Sequence, residues 1–166
     1  STKGLKLALK GDANDYVGKG LSGATIAIKL SDESNLISNE NTIIGNTVLY
    51  GATSGKLFAA GLAGDRFAVR NSGATTVIEG CDSNGCEYMT GGKIVILGST
   101  GRNIGAGMTG GIAYILDENN DLESKANKEI VSIYKITNLK QEEILLGILS
   151  EYYEKTQSLK ASKIIN

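Results

Sequence analysis

Glycine recurs every 19 residues in the middle of this chain, at Gly73, Gly92 and Gly111. Each of these glycines opens an apolar run. A set of Asx residues repeats with the same period: Asn46, Asp65, Asn84 and Asn103. A fixed period near 20 indicates one supersecondary unit stacked on copies of itself. Nineteen residues are too few for a helix pair and too many for one strand. The repeat therefore predicts an all-β fold, a parallel β-helix with about 19 residues in each turn.

Aligning the chain at this period stacks similar residues in columns. Side chains at positions i and i+2 of a strand point the same way, so two columns are predicted to line the interior. They are Val48, Phe67, Cys86 and Tyr50, Val69, Tyr88. A further apolar column is assigned to the interior: Phe58, Val77, Ile96 and Ile115. Its neighbour must then point outward and needs a cover, for which the C-terminal segment is the candidate. That outer column is Ala59, Ile78, Leu97 and Leu116.

The pattern divides the chain into two predicted parts. Residues 1–136 form the solenoid, with a polar loop inserted at 31–41 and a last strand at Ile130–Ile136. Residues 137–166 form a helical tail, in which Asn138 and Gln141 resemble a capping box. Its helices are expected to cap the solenoid or to cover the outer column.

Composition excludes several functions. The chain has 22 glycines, no proline and a formal net charge of -1, which predicts neither a nucleic-acid partner nor a membrane partner. No signal peptide opens the sequence, so we expect a cytoplasmic or organellar protein that is not secreted. Homo-oligomerisation is left open.

No residue is predicted to be catalytic, to bind a cofactor or to bind a metal. The chain has no histidine, which excludes Ser/His and Cys/His catalysis and most zinc sites. Cys81 and Cys86 are interpreted as free thiols. Asp12, Asp15 and Asp65 lie in Gly/Asn-rich stretches, where carboxylates usually are solvated or cap turns.

One glycine motif and three arginines need separate interpretation. Residues 18–23 match G-x-G-x-x-G, but a strand rather than a helix follows, which favours a solenoid corner over a dinucleotide site. Arg66 and Arg70 alternate on one predicted strand face, and Arg102 lies nearby. They are candidates for an interdomain contact or an anion site, beside the plainer interpretation of a solvated face.

Longer blocks carry a resemblance. Residues 11–23, 44–55, 64–74, 85–92, 100–103 and 107–114 resemble the C-terminal domain of the glutamate synthase large subunit. The resemblance implies a right-handed, single-stranded parallel β-helix within a soluble, plastid-like or cytoplasmic oxidoreductase. It also implies FMN and iron–sulfur sites outside this segment, and other glutamate synthase domains or subunits as partners. It indicates a non-catalytic structural role for this chain. The alternatives are the solenoid subunit of a formylmethanofuran dehydrogenase-like complex and a free-standing binding module for an anion or a partner.

Overall fold

The computed structural model describes residues 2–166 and shows a parallel β-solenoid of six turns followed by helices. One side is a six-stranded parallel sheet. In spatial order its strands are β1 (Lys6–Lys10), β2 (Ser22–Lys29), β4 (Ser54–Ala59), β6 (Ser72–Ile78), β8 (Thr90–Ile96) and β9 (Gly110–Ile115). The second side is a smaller parallel sheet of β3 (Thr42–Ile44), β5 (Leu62–Ala63) and β7 (Gly80–Cys81). A third side, without strands, closes each turn. The predicted solenoid with a C-terminal helical tail is confirmed.

One turn carries a long loop between β2 and β3. It contains a short 3-10 helix at Ser38–Glu40. The loop is tied to the sheet by Asp32, whose carboxylate contacts the ammonium groups of Lys10 and Lys29. This loop covers the predicted insertion at 31–41, whereas the predicted domain boundary at residue 136 stays a prediction.

Apart from the inserted loop, the 19-residue period is broken at the corner after β6. Phe58 on β4 lies opposite Val77 on β6, but Leu62 on β5 lies opposite Gly80 on β7. The corner after β6 is therefore one residue shorter than the corner after β4. Because side chains alternate along a strand, a slip of one residue moves each later side chain to the other face.

This short corner corrects the predicted columns of the large sheet. Val95 and Tyr114 continue the column of Phe58 and Val77, and that column faces outward under the C-terminal helices. The interior column beside it contains Ala59, Ile78, Ile96 and Ile115. The prediction was wrong in placing Phe58 and Val77 inside and their neighbours outside. It was right that an apolar outer column needs the C-terminal segment as its cover.

Helix α2 docks on this outer column through one buried tyrosine. The element α1 is Leu122–Lys125, and α2 (Leu139–Thr156) and α3 (Leu159–Ile165) follow it. The Tyr152 ring meets the Phe58 ring edge-on, with centroids 6.0 Å apart. Its hydroxyl lies within hydrogen-bond distance of two acceptors that share its one proton, the Ala59 carbonyl at 3.1 Å and Glu79 Oε1 at 3.2 Å. The same Glu79 oxygen accepts a hydrogen bond from Ser158, so a buried carboxylate links both helices to the sheet.

The segment before α2 differs from its prediction. Residues 131–138 form neither strand nor helix, so the predicted strand at Ile130–Ile136 was wrong. Asn138 does cap α2 by accepting from the Lys140 N–H at 2.8 Å. Gln141 does not complete a capping box; instead its side chain accepts the Tyr114 hydroxyl. None of the helices within residues 2–166 is long and apolar enough to cross a bilayer.

Candidate interaction surface

The third side of the solenoid has an alternating backbone in which every second residue is left-handed. In the central turn these residues are Arg66, Ala68 and Arg70, with φ of 61°, 60° and 54°. The same three positions of the other turns are also left-handed: Tyr16, Gly18, Gly20; Thr47, Leu49, Gly51; Asn84, Cys86, Tyr88; and Asn103, Gly105, Gly107. The Gly-x-Gly pairs of the first and last of these turns are the plainest sequence form of this conformation.

Hydrogen bonds between turns hold this backbone in place. The Arg66 and Arg70 N–H groups donate to one neighbouring turn, at the carbonyls of Ser83 and Glu87, over 2.9 and 2.8 Å. The Ala68 N–H donates to the opposite turn. A left-handed residue other than glycine costs about 1–2 kcal/mol, and a position bonded above and below can bear that cost. The third side is therefore a rigid surface, in which the backbone atoms that carry the side chains are held in place.

Polar side chains form a ladder at the entrance to the third side. Asp15 Oδ1 accepts the Asn46 N–H at 2.8 Å, Asn46 Oδ1 accepts the Asp65 N–H, and Asp65 Oδ1 accepts the Ser83 N–H. The Asx repeat thus forms a hydrogen-bonded ladder, but the short corner places Ser83 rather than Asn84 after Asp65. Asp15 and Asp65 have the turn-capping role expected of them.

Arg66 and Arg70 project from this rigid backbone with their head groups already positioned. The Arg66 Nε donates to Glu87 Oε2 at 3.1 Å, although half of the arginine side chain remains exposed. The Arg70 guanidinium lies 5.8 Å from the centre of the Tyr50 ring and donates to its hydroxyl at 3.4 Å. The predicted strand face is a turn surface, but it does carry both arginines.

Arg102 is exposed on the same side, two turns further along the solenoid. Neighbouring turns of a parallel sheet lie about 4.8 Å apart, so this displacement is about 10 Å along the axis. The Arg102 backbone N–H donates to Ser83 Oγ at 3.2 Å. Arg102 therefore lies on the same side of the solenoid as the other two arginines, and its predicted interdomain contact stays a prediction.

Tyrosines add an exposed aromatic component that the sequence analysis missed. Tyr88 is 52% exposed and lies across Gly107, and Tyr16 is 55% exposed with the Lys19 ammonium 5.7 Å from its ring centre. The prediction that Tyr88 is interior was wrong, because the short corner places it at the outward position of Arg70 and Gly107. In the same predicted column Val69 is buried and Tyr50 is half-buried. Tyrosine and arginine are the side chains enriched in the cores of protein interfaces. We call the surface formed by Tyr16, Tyr50, Arg66, Arg70 and Tyr88 the Tyr/Arg face.

Both cysteines are free and buried, as free thiols were predicted. Burial raises the pKa of the Cys86 thiol to about 12, and burial together with Cys86 raises the pKa of Cys81 even further. A thiolate is the form that attacks an electrophile or binds a metal, so neither thiol is poised for this chemistry. Within residues 2–166, no group of three Cys, Asp or Glu side chains is arranged to hold a metal ion.

The thiols should resist labelling in the folded chain. At pH 8 we expect a thiol reagent to modify both cysteines at least about 100-fold more slowly than in urea-unfolded chain, because both thiols are buried and protonated. The raised pKa values also predict that any residual rate keeps rising above pH 9, where an ordinary thiol levels off. Rapid labelling of native Cys86 near pH 8 would show that the thiol is accessible and activated.

The glycine motif at residues 18–23 has the context predicted for a solenoid corner. Gly18 and Gly20 lie in the third side, and the motif leads into β2 rather than into a helix. A dinucleotide site needs the positive end of a helix after the glycines, which this corner does not provide.

Comparison with known proteins gives a consistent family. The GXGXG motif family matches residues 1–166. The chain is 58% identical over 166 residues to the NADPH glutamate synthase large chain of Azospirillum brasilense. It is 55% identical over 165 residues to a ferredoxin-dependent glutamate synthase of Antithamnion sp.. It is 51% identical over 164 residues to the chloroplastic ferredoxin-dependent glutamate synthase 2 of Arabidopsis thaliana. These alignments cover 99–100% of this chain but only 10–11% of each relative.

Proposed function

Because this chain belongs to the GXGXG motif family and spans about a tenth of the glutamate synthases that it resembles, we propose that it is a non-catalytic structural domain of a glutamate synthase. Its role is to position the glutamine amidotransferase domain against the synthase domain. The whole enzyme, an oxidoreductase of the cytoplasm or a plastid, makes L-glutamate from L-glutamine and 2-oxoglutarate. The ammonia released at one active site is then delivered to the other.

The observation that carries the proposal is the Tyr/Arg face. Two arginines on a backbone hydrogen-bonded on both sides are already held by Glu87 and Tyr50, at 3.1 and 3.4 Å. Side chains that are ordered before binding lose less conformational entropy when a partner docks. A rigid face with exposed tyrosines is suited to fixing a neighbouring domain. Because the Arg66 guanidinium is already paired with a carboxylate, a free-standing anion site is the weaker interpretation.

The FMN and iron–sulfur cluster of such an enzyme do not fit the residues of this chain. Cluster ligands are thiolates, whereas Cys81 and Cys86 are buried thiols with raised pKa values. The corner at residues 18–23 leads into a strand and offers no helix N-terminus for a flavin phosphate. Both groups are therefore assigned to other domains of the enzyme.

The role is tested by comparing two rates in the whole enzyme. We expect Arg66→Ala and Arg70→Ala to lower glutamine-dependent glutamate formation by about 5–10-fold, which corresponds to roughly 1–1.4 kcal/mol of lost positioning. Ammonia-dependent formation should change less than about twofold, because dissolved ammonia reaches the synthase site without passing between domains. Lys93→Ala is the matched control: it removes one exposed positive charge from β8, on another side of the solenoid.

The ratio of the two rates separates the possible roles. A ratio that falls in both arginine variants but not in the lysine control supports positioning through the Tyr/Arg face. A ratio unchanged in all three variants contradicts that role for this face and leaves the domain as a scaffold only.

A further inference from the structure

The first turn of the solenoid exposes side chains that belong to its interior. Leu7 and Leu9 on β1 lie opposite Ile26 and Ile28 on β2. Ile28 is 1% exposed and Ile26 packs against the core, whereas Leu7 is 50% exposed and Leu9 is 41% exposed. The two leucines therefore occupy core positions of the repeat and lack a covering layer. Exposed apolar groups at a solenoid end need a cap.

The opposite end of the solenoid has such a cap. The Ile104 N–H donates to the Lys125 carbonyl at 3.0 Å, and the Asn127 N–H donates to the Ile104 carbonyl at 2.8 Å. The Asn127 amide also donates to Asn103 Oδ1 at 3.2 Å, and Val131 packs over Gly105. Residues 125–131 thus satisfy the last third-side turn with backbone and side-chain contacts. Within residues 2–166, no segment does the same for the outer edge of β1.

The charges on β1 favour a different chain segment over a second copy as the cover. All five residues of β1 are exposed, and Lys6 and Lys10 lie at its ends. If two copies paired β1 against β1 in antiparallel fashion about Ala8, each Lys6 would face a Lys10. Like charges directly opposite one another destabilise a strand pair, and lysine on an edge strand opposes self-association. A strand with apolar residues facing inward and an acidic residue near Lys6 fits the edge.

We propose that the open end at β1 is closed by an extended segment from another part of the glutamate synthase polypeptide, which pairs with β1 and covers Leu7 and Leu9. This inference rests on the proposed function, because it requires the rest of such an enzyme. The chain spans only 8–11% of the length of its relatives, so most of such a polypeptide lies outside this structure. The β1 end is then a second docking surface, separate from the Tyr/Arg face.

Hydrogen exchange at the β1 amides tests this proposal. The backbone amides of residues 6–10 are compared in the 166-residue chain and in a full-length glutamate synthase that contains it. In the full-length protein we expect the amides of Lys6, Ala8 and Lys10, which point away from β2, to exchange at least about 100-fold more slowly, because the added strand accepts their hydrogen bonds. In the full-length protein, Leu7→Lys should restore most of the fast exchange, whereas Leu146→Lys should not. Leu146 is the matched control, a 39% exposed leucine on α2.

The outcomes are distinguishable from those of the rate comparison. Equal exchange at β1 in both proteins overturns the proposed cap, yet leaves the test at Arg66 and Arg70 unaffected. If the β1 amides are already protected in the isolated chain and this chain sediments as a dimer, a second copy covers β1 and the proposed cap is overturned. Slow exchange in the full-length protein that Leu7→Lys relieves and Leu146→Lys leaves intact supports the cap. Slow exchange that Leu7→Lys does not relieve overturns the assignment of the leucines as the docking contact.

Discussion

Truncating Phe67 to alanine is expected to lower the free energy of unfolding by roughly 3–5 kcal/mol. The Phe67 side chain is fully buried in the solenoid interior, between turns whose backbones are bonded to each other. The Ala68 N–H donates to the Val48 carbonyl at 3.0 Å, and the Cys86 N–H donates to the Phe67 carbonyl at 2.7 Å. Turns held at this spacing cannot collapse into the space left by the ring, so a cavity remains. Urea unfolding of the 166-residue chain measures the loss.

Tyr88→Ala is the matched control for this experiment. It removes an aromatic ring of similar size from the same side of the solenoid, but this ring is 52% exposed. We expect a loss of about 1 kcal/mol or less for Tyr88. If Phe67→Ala costs less than about 1 kcal/mol, Phe67 is not in the core and the register of the third side is in error.

Gly92→Val is expected to be more damaging than any substitution in the 31–41 loop, with a loss on the order of 4 kcal/mol or complete failure to fold. Gly92 has φ of +94°, where a β-branched residue is strained. A Cβ there would lie 2.4 Å from the Ala74 carbonyl oxygen and 2.5 Å from Asn71 Nδ2. Both neighbours are held in place, since the Asn71 amide itself donates to the Ala74 carbonyl at 3.0 Å.

Gly4→Val separates the two contributions to that loss. Gly4 has nearly the same φ, +93°, but no atom of residues 2–166 lies within 4 Å of its Cβ position. It should therefore report the backbone strain alone, of about 1–2 kcal/mol. A thermal-melt series in which Gly92→Val is tolerated as well as Gly4→Val or a change at Leu36 in the loop would contradict the observed packing of the turns.

The two adjacent corner glycines are required for different reasons. Of Gly91 and Gly92, only Gly92 has a positive φ. Gly91 is required for a different reason: a Cβ there would lie 2.3 Å from the Ser72 carbonyl oxygen of the preceding turn. Backbone approach between turns is a tertiary property, so a local sequence pattern shows the glycine but not which constraint requires it.

The solenoid itself was predictable because glycine and Asx residues, which have fixed conformational roles, recur in each turn. Which columns of the large sheet face inward was not predictable, because one corner is a residue shorter than the others. Gly91 and Gly92 are adjacent, as are Ser83 and Asn84, so either residue of each pair can continue a column. A strict period therefore aligned the chain well and still exchanged inside and outside at Phe58–Ala59 and Val77–Ile78, whereas Ile96 and Ile115 were assigned correctly.

The Tyr/Arg face was predictable in its arginines but not in its backbone. Sequence rules assign left-handed positions to glycine and asparagine, whereas here Arg66, Ala68 and Arg70 adopt them. The hydrogen bonds between neighbouring turns override the local preference. Tyr88 was assigned to the interior because side chains alternate along a strand. This rule does not hold on the third side, which has no strand. Glu79, which anchors α2 and α3, had no local signal at all.

This domain is proposed to contribute structure and not chemistry to a glutamate synthase. The most direct test of this proposal is to assay the purified 166-residue chain for glutamine hydrolysis and to titrate it with FMN. We expect no glutaminase activity above the buffer rate and no stoichiometric flavin binding. The reason is that both thiols are buried with raised pKa values and that the corner at residues 18–23 leads into a strand. Glutamine turnover by the isolated chain, or one bound flavin per chain, would contradict the account.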